Sequence, residues 1–460
     1  MPSFPDFDPA TGELIAEIPA TDAERLTAVV ARARAAQPGW ADVPLETRIE
    51  LLGEGAARLG ERSDELADLI TREMGKVRRE ALREARGWSR HVPELLEEVR
   101  QALEPQVLEG ADSTTRVVRD PLGVVAAISP WNFPVAMPLS LLVPALAAGN
   151  AVVFKPSEHV PLVGAALAEI FGGFLPGGVL GLVQGAGDVG AALVEADVDM
   201  IGFVGSRETG IRIMQSAGRD LKRLVLELGG KDPLIVFADA DLEAAADCAV
   251  RHSLRNTGQV CCSVERVYVA APVAARFEEL VVERARAWRH GSGFEDGVRM
   301  GPLVSPRQRE VVAGQVQDAV RSGARLLLGG EEPEGPGWFY PATVLADVGP
   351  ELRITSEETF GPVVALTPFD GDEETAVRLA NETLFGLGAN VYTADVDRGL
   401  RVARRIRSGQ VGINRYLGGA AGAPWVGARQ SGFGFLGGIE GHRQFTVPKS
   451  ISMPRTVPAE

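Results

Sequence analysis

Between residues 151 and 237 the chain alternates short apolar runs with stretches at helical spacing, and no other feature constrains the fold as tightly. The runs are AVVF (151–154), VLGLV (179–183), MIGFV (200–204), LVLEL (224–228) and PLIVF (233–237). A continuous apolar strand must be covered on both faces, and the helices between strands provide that cover. The pattern therefore predicts a parallel sheet in an α/β fold. A second series follows: VERVYVA (264–270), a helix over 273–289, VVALTPF (363–369), a helix over 373–381, ANVYT (389–393), a helix over 395–407 and VGIN (411–414). We expect two such α/β units joined near residue 229. Ala, Leu, Glu and Arg at helical spacing predict helices over 22–37, 46–74 and 77–103. TTRVVRD and GVVAAIS, separated by Pro121, Leu122 and Gly123, predict a β-hairpin.

Composition narrows the function classes. With 460 residues the chain can bury a large core without disulfides, and its three cysteines, Cys248, Cys261 and Cys262, are too few for a disulfide framework. A reducing cytoplasm is the expected compartment, since the N-terminal residues lack the pattern of a signal peptide. A net charge of −15 disfavours nucleic acid and anionic lipid as partners. No charge occurs between Asp120 and Lys155, but Pro130, Pro134, Pro138 and Pro144 interrupt that stretch. It reads as a buried helix followed by a buried strand rather than a membrane span.

Several stretches offer chemistry. GAGDVG (185–190) has the GxGxxG form after a strand and before a helix, yet in a chain with 53 glycines it equally fits a plain turn. GFVGSRETG (202–210) offers an anion the free N–H groups of a helix start, or is an ordinary strand-to-helix turn. RNTGQVCCSVER (255–266) places two thiols side by side. The five histidines, at 91, 159, 252, 290 and 442, form no triad-like motif, and no CxxC or HExxH suggests a metal. Glu227 lies 34 residues before Cys261, at a strand end followed by two glycines. A thiol nucleophile with a carboxylate base suits formation and hydrolysis of a thioester.

PWNFP (130–134), KPSE (155–158), GSRETG (205–210), ELGGK (227–231), GQVC (258–261), EETFGP (357–362) and GARQSGFG (427–434) occur in order across the chain. With these motifs the chain resembles the aldehyde dehydrogenase superfamily over almost its entire length. The resemblance implies oxidation of an aldehyde to a carboxylic acid. Cys261 is then the nucleophile, Asn132 the oxyanion donor and Glu227 the base that activates water. CoA-acylating relatives commonly lack that base, so its presence favours a free acid as product. NAD is the implied cofactor, with NADP the alternative. Lys155 and Glu158 would hold the adenosine ribose, Gly205 and Ser206 the pyrophosphate, Glu358 and Phe360 the nicotinamide ribose, and Trp131 would border the nicotinamide end; Ser157, Thr209, Leu228 and Gly229 would also bind the cofactor. The literal GAGDVG match is not the family's phosphate site and is expected near the adenine end.

By motif position Phe133, Met137, Val260, Cys262 and Trp425 should line the aldehyde tunnel, Cys262 as a passive wall and Cys248 as core. This apolar lining favours an uncharged aliphatic or aromatic aldehyde. Arg255 points instead to the alternative of a succinate-semialdehyde-type substrate, as does MGKV (74–77), although Ser140 stands where that branch has a further arginine. Pro424, Trp425, Val426 and Gly427 replace the common Pro-Phe-Gly-Gly, and Arg429 a usual lysine, which alters the tunnel mouth. The family also implies an NAD-binding domain of residues 1–109 and 125–228 with part of 431–442, and a catalytic domain of 229–430. An oligomerisation element of 110–124 and 443–460 would build a homodimer or homotetramer. A non-catalytic structural homologue would have lost Cys261, Glu227 or Asn132, and all three are present.

Overall fold

The computed structural model describes residues 2–455. Two mainly parallel sheets carry the fold. In the six-stranded sheet, Val124–Ile128 is buried throughout and lies parallel between Met200–Val204 and Ala151–Lys155. Arg223–Glu227 and Leu180–Leu182 extend the sheet in parallel, and Gly432–Phe433 closes one edge antiparallel. Alternate residues divide between two cores. Val125 and Ala127 pack with helices Ala136–Ala147 and Pro161–Gly172, while Val124 and Ala126 pack with Ala23–Ala41, Gly187–Glu195 and Arg207–Ala217. The uncharged stretch is thus a buried helix leading into a buried strand. Among the described residues, no helix is long and apolar enough to cross a membrane.

The seven-stranded sheet runs Arg325–Leu328, Thr343–Ala346, Val363–Phe369, Val264–Ala270, Asp232–Val236, Gly388–Tyr392 and Gln410–Ile413. Its pairs are parallel except at the Arg325–Leu328 edge. Arg223–Glu227 ends the first sheet and Asp232–Val236 begins the second, so Leu228, Gly229, Gly230 and Lys231 alone connect them. In the first sheet the chain reverses its winding between Val124–Ile128 and Met200–Val204. The crevice at the carboxyl ends of such neighbouring strands is where open α/β sheets take their ligands.

Two expectations are corrected. The hairpin of 114–120 with 124–128 does not form. Ser113–Pro121 pairs antiparallel with Gln106–Glu109 and Thr446–Pro454 in a separate three-stranded sheet. Its side chains are half-exposed, whereas Val124–Ile128 is apolar on both faces and belongs inside a parallel sheet. The single helix over 46–74 is two, Leu45–Glu61 and Ser63–Met74, bent at Arg62 (φ −97°, ψ 14°). The bend lets Leu52 and Leu59 on one side, and Leu66 and Ile70 on the other, share a core with Leu95 and Val99 of helix Arg78–Leu103. Residues 456–460 of the expected oligomerisation element lie outside the described residues.

Asn150 explains how the chain turns from one sheet into the other without a hairpin. Its buried amide accepts from the N–H of Leu122 and Gly123 and donates to the carbonyls of Ala145 and Phe445. Asn150→Ala leaves those groups unpaired in the interior, and we expect a loss of about 3 kcal/mol or more in chemical denaturation.

Candidate active site

The cysteine loop is built from three consecutive left-handed residues, Asn256 (φ 50°), Thr257 (φ 58°) and Gly258 (φ 72°). Such geometry is costly for residues with a Cβ and persists only when surrounding bonds enforce it. Here the Asn256 amide donates to the carbonyls of Asn132 and Gln259, both at 3.1 Å, and the Thr257 hydroxyl donates to Gly301 O at 3.0 Å. The Gln259 side chain donates to Asn256 O and accepts from Val304 N–H. A Cβ at residue 258 would sit 2.0 Å from Gly361 O, so glycine is required. The loop delivers Cys261, half-buried, and Cys262, buried, to the floor of a cavity of about 450 Å³.

Glu227 reaches the same cavity from the end of its strand, 3% exposed. Burial pushes its carboxyl up to about 8, opposed by the Trp425 indole, which donates to Glu227 Oε1 at 2.8 Å. The glycines that follow admit close neighbours. A Cβ at residue 229 would overlap the Glu358 carboxylate, and one at residue 230 would lie 2.4 Å from Cys261 O. Glu358 accepts from Gly230 N–H at 3.0 Å and is itself pushed up to about 8, first by burial and then by Glu265. Buried Glu265 is paired with Lys231 at 2.6 Å and accepts from the N–H groups of Thr359 and Phe360. It thereby fixes the 358–360 turn.

Asn132 is held from behind. Its carbonyl accepts from Lys76 Nζ at 2.8 Å, and Lys76 pairs with Glu84, which also accepts from Val135 and Ala136 N–H. The Asn132 amide donates one hydrogen to Gln259 O at 3.1 Å, which leaves the other for a ligand.

Every residue expected to act on the aldehyde lines this cavity: Cys261, Glu227 and Asn132, with Phe133, Met137, Arg255, Val260, Cys262 and Trp425. Leu228, Gly229, Glu358 and Phe360 line it too. An adjoining cavity of about 510 Å³ contains Lys155, Ser157, Glu158 and Thr209. Trp131, Gly205 and Ser206 border both cavities, making one continuous cleft. Gly187 and Gly190 of GAGDVG border the far cavity. Cys248 packs in the core of the second sheet.

Sequence reasoning missed the supporting partners. Tyr416 donates from its hydroxyl to Cys262 O at 2.7 Å, touches Cys262 Sγ at 3.1 Å and stacks on His252. Cys262 is therefore more than a passive wall. The hydrogen bond from Cys261 first, then Arg255 and Tyr416, pulls its thiol down to about 6, while that same bond and burial push Cys261 up. Ser129, whose buried hydroxyl has no partner, faces the far cavity. Lys76, flagged only within MGKV, proves to be the anchor of Asn132.

The chain matches the family model described as "Aldehyde dehydrogenase family" over residues 2–451. It belongs to that family. This makes it an oxidoreductase acting on aldehydes. Among curated relatives, "Probable succinate-semialdehyde dehydrogenase (NADP(+))" from Sinorhizobium fredii is 40% identical over 457 residues, covering 97% of this chain and 92% of the relative. Lactaldehyde dehydrogenase from Escherichia coli superposes with a TM-score of 0.95 at 34% identity, covering 98% of this chain and 96% of that one. Indole-3-acetaldehyde dehydrogenase in complex with NAD+ also gives 0.95, at 36% identity, with coverage of 98% and 93%.

In this aldehyde dehydrogenase the Lys76–Glu84 pair bears on both stability and the placement of Asn132. Lys76→Met strands a buried carboxylate and removes a donor from Asn132 O. We expect a loss of about 3 kcal/mol in denaturation, and a kcat that falls more than KM changes in steady-state assays.

Proposed function

We propose that this protein oxidises an aldehyde bearing a remote carboxylate, of the succinate-semialdehyde kind, to the free acid with NAD or NADP as oxidant. The observation that carries the substrate class is Arg255. Arg255 lines the tunnel and its buried Nε has no hydrogen-bond partner; the carboxylate that acts on it, Glu80, shares with it the lining of a second cavity, beside Lys76 and Glu84, rather than the tunnel. A half-buried cation with a free donor gains from a directly bonded anion, and a substrate carboxylate would supply one. The name of the Sinorhizobium fredii relative supports the same reading. The apolar lining by Phe133, Met137, Val260 and Trp425 favours a second reading, an uncharged aldehyde.

The far cavity suits a dinucleotide. It offers the buried Lys155 amine, the unpartnered Ser129 hydroxyl and the N-terminus of helix Arg207–Ala217, where Ser206 caps the Thr209 N–H and the first-turn N–H groups suit a pyrophosphate. Glu158, 3.8 Å from Lys155 Nζ, suits ribose hydroxyls and repels a 2′-phosphate, which supports NAD over NADP. When bound, the nicotinamide supplies the acceptor for the electron pair and hydrogen leaving the aldehyde carbon.

The residues around Cys261 divide the remaining work. Its thiol faces two proton acceptors, Glu227 and Cys262. Deprotonated, its sulfur attacks the carbonyl carbon, and the oxyanion receives the free Asn132 amide hydrogen and the Cys261 N–H. One such donor lowers the barrier by roughly 3 kcal/mol. Oxidation leaves an acyl thioester on Cys261. Glu227 takes a proton from water, the water oxygen bonds to the acyl carbon, and the carbon–sulfur bond breaks to return the thiolate.

The three-stranded sheet supports a homodimer or a dimer of dimers. Val107 and Ile451 flank Arg116 on one face and are 55% and 44% exposed. A small sheet with such a face gains by adding to a partner copy.

Succinic semialdehyde and butanal, matched in length, test the substrate. We expect higher kcat/KM for succinic semialdehyde. Arg255→Met should lower that value tenfold or more, as befits a lost bond to a charged group, and spare butanal. A preference of the unsubstituted protein for butanal would establish the second reading.

A further inference from the structure

Trp425 does more in this site than line the tunnel. It lies on Trp425–Val426, which pairs antiparallel with Phe435–Leu436, Trp425 opposite Leu436. The chain between those strands pairs Gly432 with Glu227. One short segment therefore fixes both the indole and the backbone of the glutamate. The indole Nε1 donates to Glu227 Oε1 at 2.8 Å and, among the described residues, is the one nitrogen donor to that carboxylate. Of its other titratable neighbours, the Cys261 thiol also favours the carboxylate as a weaker hydrogen-bond partner, while Cys262 and Glu358 oppose its charge.

Resting on the oxidation reading above, we propose that Trp425 is the positioning residue of the general base. Its indole N–H holds one carboxylate oxygen of Glu227 and so presents the other to the water that attacks the Cys261 thioester. A carboxylate with both oxygens unanchored rotates among its rotamers, and a buried one without a donor resists ionisation. The indole N–H answers both needs, and once Cys261 is acylated and has no thiol proton to donate, the second oxygen is free for the proton of water. In the hydrolytic step that proton passes to the second oxygen, the water oxygen bonds to the acyl carbon, and the carbon–sulfur bond breaks to release Cys261 as thiolate. A phenylalanine of similar shape walls the tunnel equally well but donates nothing.

The test is Trp425→Phe, measured as kcat against pH together with the reduced cofactor formed in the first turnover. The base works ionised, and the indole bond favours its ionised form. Losing the bond raises the pH at which Glu227 ionises. The acid limb of kcat should therefore move up by about one pH unit, and kcat at neutral pH should fall about tenfold. KM should change little, and one reduced cofactor per site should still appear in the first turnover. An acid limb that stays in place, or a loss confined to KM, overturns the proposal and leaves Trp425 a tunnel wall. If the unsubstituted protein forms no reduced cofactor from any aldehyde, the oxidation reading itself fails, and the proposal with it. Should Trp425→Phe fold poorly, Trp425→Gln and Trp425→Met carry the same comparison. Gln keeps an N–H donor and should hold the limb nearer its original place than Met, and equal limbs for the two would overturn the proposal.

Discussion

The close approach permitted at Gly229 and Gly230 underlies the rest of the site. One sheet ends in a carboxylate, Glu227, and the next begins at Asp232, two residues beyond the second glycine, so the two sheets meet where side chains are least welcome. Without a Cβ at either position, Glu358 packs against one glycine and the backbone of Cys261 against the other. Cys261, Glu227 and the 358–360 turn thus converge on one cavity although they come from distant parts of the chain. A methyl group at either position would force that convergence apart.

Convergence in a dry place sets the electrostatics. Glu227 and Glu358 are both raised to about 8 chiefly by burial, so the cavity resists additional negative charge on its glutamate side. Arg255 lines the same cavity, over the Tyr416 ring and with its Nε unpartnered. The proposed substrate, neutral at the reacting carbon and carrying a carboxylate, would bring its charge to Arg255 rather than to the glutamates. In the proposed reaction, the same low polarity that pushes the Glu227 carboxyl up would strengthen each donor facing an oxyanion. The supporting pairs Lys76–Glu84 and Lys231–Glu265 are buried and mutually neutralised. They organise Asn132 and the 358–360 turn without adding net charge to the cleft.

Much of this was legible in the sequence, for physical reasons. Strands buried on both faces leave continuous apolar runs, so the central strands of both sheets could be placed from MIGFV, PLIVF and their counterparts. The residues of the cleft could be placed because they sit in motifs. Pairing partners were not legible. TTRVVRD and GVVAAIS are adjacent in sequence and joined by a turn, yet they belong to different sheets, since the choice depends on Asn150 and on a C-terminal strand more than 300 residues away. The short strands Gly432–Phe433 and Trp425–Val426 carry no periodicity, so the contact of Trp425 with Glu227 could not be foreseen. Tyr416 and Glu84 likewise act through contacts between distant segments that no local pattern marks.

The most direct measurement is rapid mixing of Glu227→Gln with aldehyde and oxidised cofactor. Gln keeps the shape of the side chain and removes the base. The account predicts one reduced cofactor per active site, followed by almost no further turnover, because the acyl group stays on Cys261. Undiminished steady-state turnover would contradict it and remove Glu227 from the hydrolytic step.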